Sequence, residues 1–94
     1  MINAKQCTTL CEVFKQPPPS NVPYQRVISL LTALGATCRP SKGGVMVALP
    51  QQIIWGTHRP HPGPNLDKAA VAALRKALIA AALAPAQLGC VCKP

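Results

Sequence analysis

Gly35-Ala36-Thr37-Cys38-Arg39-Pro40-Ser41-Lys42-Gly43-Gly44-Val45-Met46-Val47-Ala48-Leu49 is the stretch in which the chain changes period. Before it, Val27, Leu30, Leu31 and Leu34 recur at i, i+3, i+4 and i+7, the spacing of one helix face. Gly35 is a helix stop signal. Within the stretch, residues 36–39 and 45–49 read as two short strands, parted by a turn over Pro40-Ser41-Lys42-Gly43-Gly44. Pro50-Gln51-Gln52 turns the chain again, and Ile53-Ile54-Trp55 starts a third strand. Connections this short predict an antiparallel meander.

Working outward, the helix that ends at Gly35 has Ser20-Asn21 as candidate capping residues and Pro23 in its first turn, where a missing N–H costs nothing. Residues 4–16 predict a further, leading helix. Its Cys7, Leu10, Cys11 and Phe14 form an apolar stripe, and Pro17-Pro18-Pro19 stops it. On the other side, Asn65 is a candidate N-cap with Asp67 in the first turn, and residues 66–83 have high helix propensity up to Pro85. The tail from Gln87 reads as irregular. The division expected is 1–20 for the leading helix and proline linker, 21–84 for the main domain, and 85–94 for the tail. The fold class expected is α+β: a three-stranded antiparallel sheet with two helices on one face, plus the extra N-terminal helix.

The chain has 94 residues, enough for one domain with a thin core. Ten Lys and Arg face only Glu12 and Asp67, a formal net charge of +8. Such a balance favours polyanions. With Phe14, Tyr24 and Trp55 the only aromatics, an aromatic platform for stacking bases is not expected. No run approaches the ~20 apolar residues of a membrane span, and Met1 to Gln6 lacks the pattern of a signal peptide. The expectation is therefore a cytoplasmic protein without a membrane partner. Five cysteines are an odd number for a disulfide framework, and in a reducing compartment all five should be free thiols. Cys7-x3-Cys11 and Cys90-x-Cys92 do not have the spacing of a common zinc finger. No metal and no cofactor is expected.

Both histidines lie in Gly56-Thr57-His58-Arg59-Pro60-His61-Pro62-Gly63-Pro64, with an arginine between them. The prolines bias this segment to extended backbone. Imidazole can change charge near neutral pH, and guanidinium is a forked phosphate ligand. Arg59 is the first candidate for a phosphate contact. Lys42 beside Gly43 and Gly44 is the next, because glycine lets a backbone approach an anion closely. Arg39 joins them as a candidate. Lys68 and Arg75, with Lys76, either extend a basic strip along the last helix or form only its solvated face.

Together these features resemble the HicA family of bacterial toxins, which act as mRNA interferases. The residues that carry the resemblance are Leu30-Leu31-Thr32-Ala33-Leu34-Gly35-Ala36, the Lys42-Gly43-Gly44 turn, Val45-Met46-Val47, His58-Arg59-Pro60-His61-Pro62-Gly63 and the closing Leu78-Ile79-Ala80-Ala81-Ala82. The match covers about residues 22–83. It implies a compact α-β-β-β-α fold similar to double-stranded-RNA-binding domains, cleavage of mRNA without a metal, and neutralisation by a HicB-type antitoxin. The best-known members carry a catalytic histidine in the turn entering the second strand. Here Ser41-Lys42-Gly43-Gly44-Val45 stands in that place and has no histidine.

Metal-free cleavage of RNA needs a base for the 2′-OH, charge stabilisation of the pentavalent phosphate and an acid for the leaving oxygen. His58 and His61 are the only imidazoles available as catalytic residues, and His61 best matches the family's His-Pro position. On a regular strand, residues three apart face opposite sides, whereas a polyproline turn aligns them. Two functions stay open at this point: an endoribonuclease toxin, or a catalytically silent RNA-binding protein that acts with its antitoxin.

Overall fold

A computed structural model describes residues 2–58 and 63–92 of the chain. Three helices, α1 (Ala4–Val13), α2 (Tyr24–Ala33) and α3 (Lys68–Ala80), accompany two antiparallel sheets. The larger sheet has the order β2 (Thr37–Ser41), β3 (Gly44–Leu49), β4 (Ile53–His58), the meander expected from the short connections. The smaller pairs β1 (Val22–Pro23) with β5 (Asn65–Leu66). The protein is thus of the α+β class, as the sequence predicts.

Alternation in β3 and β4 divides the large sheet into two faces. Val45, Val47, Leu49 and Trp55 are buried, and Met46, Ala48, Ile54 and His58 are exposed. On the buried side α2 packs against β2 and α3 against β4, while α1 lies across α2 and α3. Leu10 and Val13 of α1 join Leu30, Leu31, Val47, Leu74 and Leu78 in one core. Each of these leucines is fully buried, so truncation to alanine would cost about 2–5 kcal/mol.

The helix ends follow some local signals and override others. Asn3 caps α1, and Gln6 completes a reciprocal capping box with both bonds at 2.9 Å. The helix stops at Val13 rather than residue 16. Gly35 ends α2 at φ +86°: its N–H donates to the Thr32 carbonyl, and the Ala36 N–H donates to Leu31 at 3.0 Å. This is a Schellman ending. The expected capping by Ser20 or Asn21 is corrected, because Pro23 itself is the N-cap residue of α2, without a side-chain bond. Buried Val22 and Leu66 pair across the small sheet, and the Tyr24 N–H donates to the Pro64 carbonyl at 2.9 Å. Strand pairing therefore takes Pro23, which the capping pattern put in the first turn of the helix. It likewise moves the start of α3. Asn65 lies in β5, and Asp67 is the N-cap, accepting from the Ala70 N–H at 2.7 Å.

The first turn of the sheet is tighter than expected. Pro40 and Ser41 extend β2, an edge strand where proline displaces no sheet partner. Only Lys42 and Gly43 remain as the turn, with Gly43 at φ +67°.

The cysteine reading is corrected. Cys7 bonds to Cys90 and Cys11 to Cys92, and Cys38 is the one free thiol. Cys7 and Cys11 lie one turn apart on α1, and a 3-10 turn over Pro85–Leu88 brings the tail back beside that helix. The odd cysteine that argued against a framework sits in β2, opposite Val47. Among the described residues no helix is long and apolar enough to cross a membrane.

Candidate nucleic-acid interface

The exposed face of the large sheet is built in cross-strand rows, because residues directly opposite each other share a face. One row is Thr37, Ala48 and Ile54; the next is Arg39, Met46 and Gly56; the last is Ser41, Gly44 and His58. Lys42 continues from the last row into the turn. His58 therefore ends β4 about 10 Å, two strand spacings, from Ser41, and Lys42 and Arg39 flank that row. Four of the residues singled out in the sequence, Arg39, Lys42, Gly44 and His58, meet at one exposed corner, with Gly43 at its tip. The sequence placed His58 in a loop; it is the last residue of a strand.

Glycine is structurally required at the centre of this row. A β-carbon on Gly44 would collide with the Thr57 carbonyl oxygen and lie 2.9 Å from the His58 Cα. Around Gly43 there is open space, so its backbone is accessible to an anion. Neither acid of the chain belongs to the corner. Glu12 is on α1, and the Asp67 side chain is engaged at the start of α3.

Lys68 and Arg75 do not join the corner, since both belong to α3 on the other side of the sheet. Lys68 is exposed at the helix start. Arg75 is half-buried, its guanidinium carbon 5.8 Å from the centre of the Phe14 ring. In the amide orientation that pairs donor with acceptor, the Gln16 oxygen also accepts from Nη1 and Nη2 of Arg75, the latter at 3.2 Å. Arg75 thus ties α3 to the end of α1. Arg59 and His61, the remaining two candidates, lie outside the described residues.

Sequence reasoning overlooked the apolar floor beside the cations. Met46 and Ile54 are 44 % and 57 % exposed, and with Thr37 and Arg39 they line a shallow groove. The Met46 side chain lies over Gly56, whose missing β-carbon would meet its sulfur at 2.6 Å. The strict alternation of β3 carried this signal: Met46 faces away from Val45 and Val47. The corner thus combines positive charge with an apolar surface suited to a ribose or base. Among the described residues no three His, Cys, Asp or Glu side chains gather as metal ligands.

No protein-family model, curated protein or solved structure matches the chain.

Proposed function

We propose that the protein is a HicA-like toxin that grips messenger RNA at the Arg39–Lys42–His58 corner and is neutralised by a HicB-type antitoxin. The observation that carries this reading is the cross-strand pairing of His58 with Gly44. It delivers an imidazole from β4 to the turn in which the family's best-known members carry their catalytic histidine. The α+β order around a three-stranded sheet supports a double-stranded-RNA-binding-like arrangement, and the charge of +8 supports an anionic partner.

In this reading His58 acts as the general base. It takes the proton of a ribose 2′-OH, and the 2′-oxygen attacks the adjacent phosphorus. The bond from phosphorus to the 5′-oxygen breaks, leaving a 2′,3′-cyclic phosphate and a 5′-OH. Arg39 and Lys42 hold the non-bridging oxygens, whose charge grows in the pentavalent transition state. The leaving oxygen takes its proton from His61 or from water.

The test is incubation of purified protein with labelled mRNA in EDTA. Expected are fragments ending in cyclic phosphate, lost in His58→Ala. The silent RNA-binding reading has its own support, the absence of a histidine from Ser41-Lys42-Gly43-Gly44-Val45. It would be selected if RNA bound and no fragment formed.

A further inference from the structure

Resting on that RNA-binding reading, we infer that the RNA path does not end at the sheet corner but runs over the edge of β2 and along α2 into a second site between α1 and α2. Two clefts connect these places. The first, about 210 Å³, lies at the seam of α2 with β2 and β3 and is lined by Gln25, Cys38, Arg39 and Gly44, among others. The second, about 350 Å³, lies between α1 and α2 and is lined by Lys5, Gln6, Thr8, Gln25, Arg26 and Ser29, among others.

Two residues make the path continuous. Arg39 lines both the outer groove beside Met46 and the α2 seam, so it spans the edge of the sheet. Gln25 lines both the seam and the α1–α2 cleft. In order, the path carries His58 and Lys42, then Arg39, then Gln25, then Arg26 and Lys5. All four of its lysines and arginines are exposed, and neither carboxylate of the chain lines either cleft.

The far cleft sets two cations beside a mostly apolar surface, so it can hold a phosphodiester with its ribose. Lys5 and Arg26 supply charge, while the second amide hydrogen of Gln6 and the Ser29 hydroxyl supply donors; the Thr8 hydroxyl is already given to the Ala4 carbonyl. Its aromatic content is nil, so binding there would be sequence-tolerant and salt-sensitive. Across the cleft the Gln6 amide donates to the Ser29 hydroxyl at 3.2 Å, linking α1 to α2. The leading helix, which stands outside the α-β-β-β-α pattern, thereby becomes part of the binding surface.

The experiment uses the full chain and two labelled oligouridylates, of about four and about twelve nucleotides. Affinity is measured over a range of salt for wild type and for Lys5→Gln/Arg26→Gln. Both residues are exposed, and an unchanged melting temperature checks the variant's fold. For the long probe, the slope of log K against log salt should become shallower by about 1.4, two single-strand phosphate contacts. For the short probe, which the corner alone can hold, affinity should stay within about twofold. Amide resonances of Thr8 and Ser29 should shift with the long probe only. An unchanged slope for the long probe, or equal losses for both probes, would overturn the extended path while leaving the corner intact. No binding of either probe by wild type would instead remove the RNA-binding reading, and the path with it.

Discussion

Gly44 and His58 are direct cross-strand partners at the open end of the sheet, and the approach of their strands leaves no room for a β-carbon on Gly44. The obstruction is backbone, the Thr57 carbonyl, so no side-chain movement relieves it. Gly44→Ala should lower stability by about 1–3 kcal/mol and displace His58 from the corner. Gly56→Ala is the internal comparison. It meets the flexible end of Met46, which can move, and should stay within about 1 kcal/mol of wild type. Urea unfolding of both variants checks the contrast; equal losses would contradict it.

The end of α3 holds a second position with a defined outcome. Ala82 has φ +60°, and the Leu83 N–H donates to the Leu78 carbonyl at 2.9 Å. This is the same helix ending as at Gly35, with alanine where glycine is favoured. Ala82→Gly should raise stability by about 1 kcal/mol, and Gly35→Ala should lower it by a similar amount. Thermal unfolding of the two variants reads both signs.

The two disulfides should act as one constraint. They close loops of 83 and 81 residues between the same two segments, α1 and the tail. Once one has formed, the other closes a ring of only about eight residues, with little further chain entropy to remove. C7S/C90S or C11S/C92S should each cost much less than the quadruple variant, which should lose about 4 kcal/mol. Reductant should reproduce the quadruple variant's loss. Additive losses from the two pairs would argue against this account.

Arg75 makes a structural contact, and its replacement should separate stability from binding. Arg75→Ala removes the contact with Phe14 and leaves the Gln16 oxygen without its guanidinium donors. A loss of about 1–2 kcal/mol is expected, with RNA affinity changed no more than the loss of one distant charge allows. A large drop in affinity without a stability change would place Arg75 in the interface after all.

Much of the sheet was legible because its signals are local. Gly35 stops α2, Lys42-Gly43 turns the chain, and Val45, Val47 and Leu49 alternate with Met46 and Ala48. The departures came from pairings between distant residues. The pairing of Val22 with Leu66 put Pro23, expected in the first turn of α2, into a strand, and the bonds of Cys7 and Cys11 to Cys90 and Cys92 joined the chain ends. No spacing within either cysteine pair encodes that partnership. The candidate site was half legible. Charge and glycine pointed to Lys42, Gly43 and Gly44, and the strand register brought His58 beside them. Arg75 carries the same charge as Arg39, and only the fold, which packs it against Phe14 and Gln16 on the helical side of the sheet, sets the two apart. No local pattern marks Lys5 and Arg26, because their cleft forms only when α1 docks on α2.

RNA binding measured against salt for wild type and Arg39→Gln/Lys42→Gln tests the central claim most directly. Wild type should bind a single-stranded RNA with log K falling linearly as log salt rises. The double variant should bind more weakly, with a slope shallower by about 1.4 and an unchanged melting temperature. Indistinguishable salt profiles for the two proteins would contradict a phosphate-gripping corner at Arg39, Lys42 and His58.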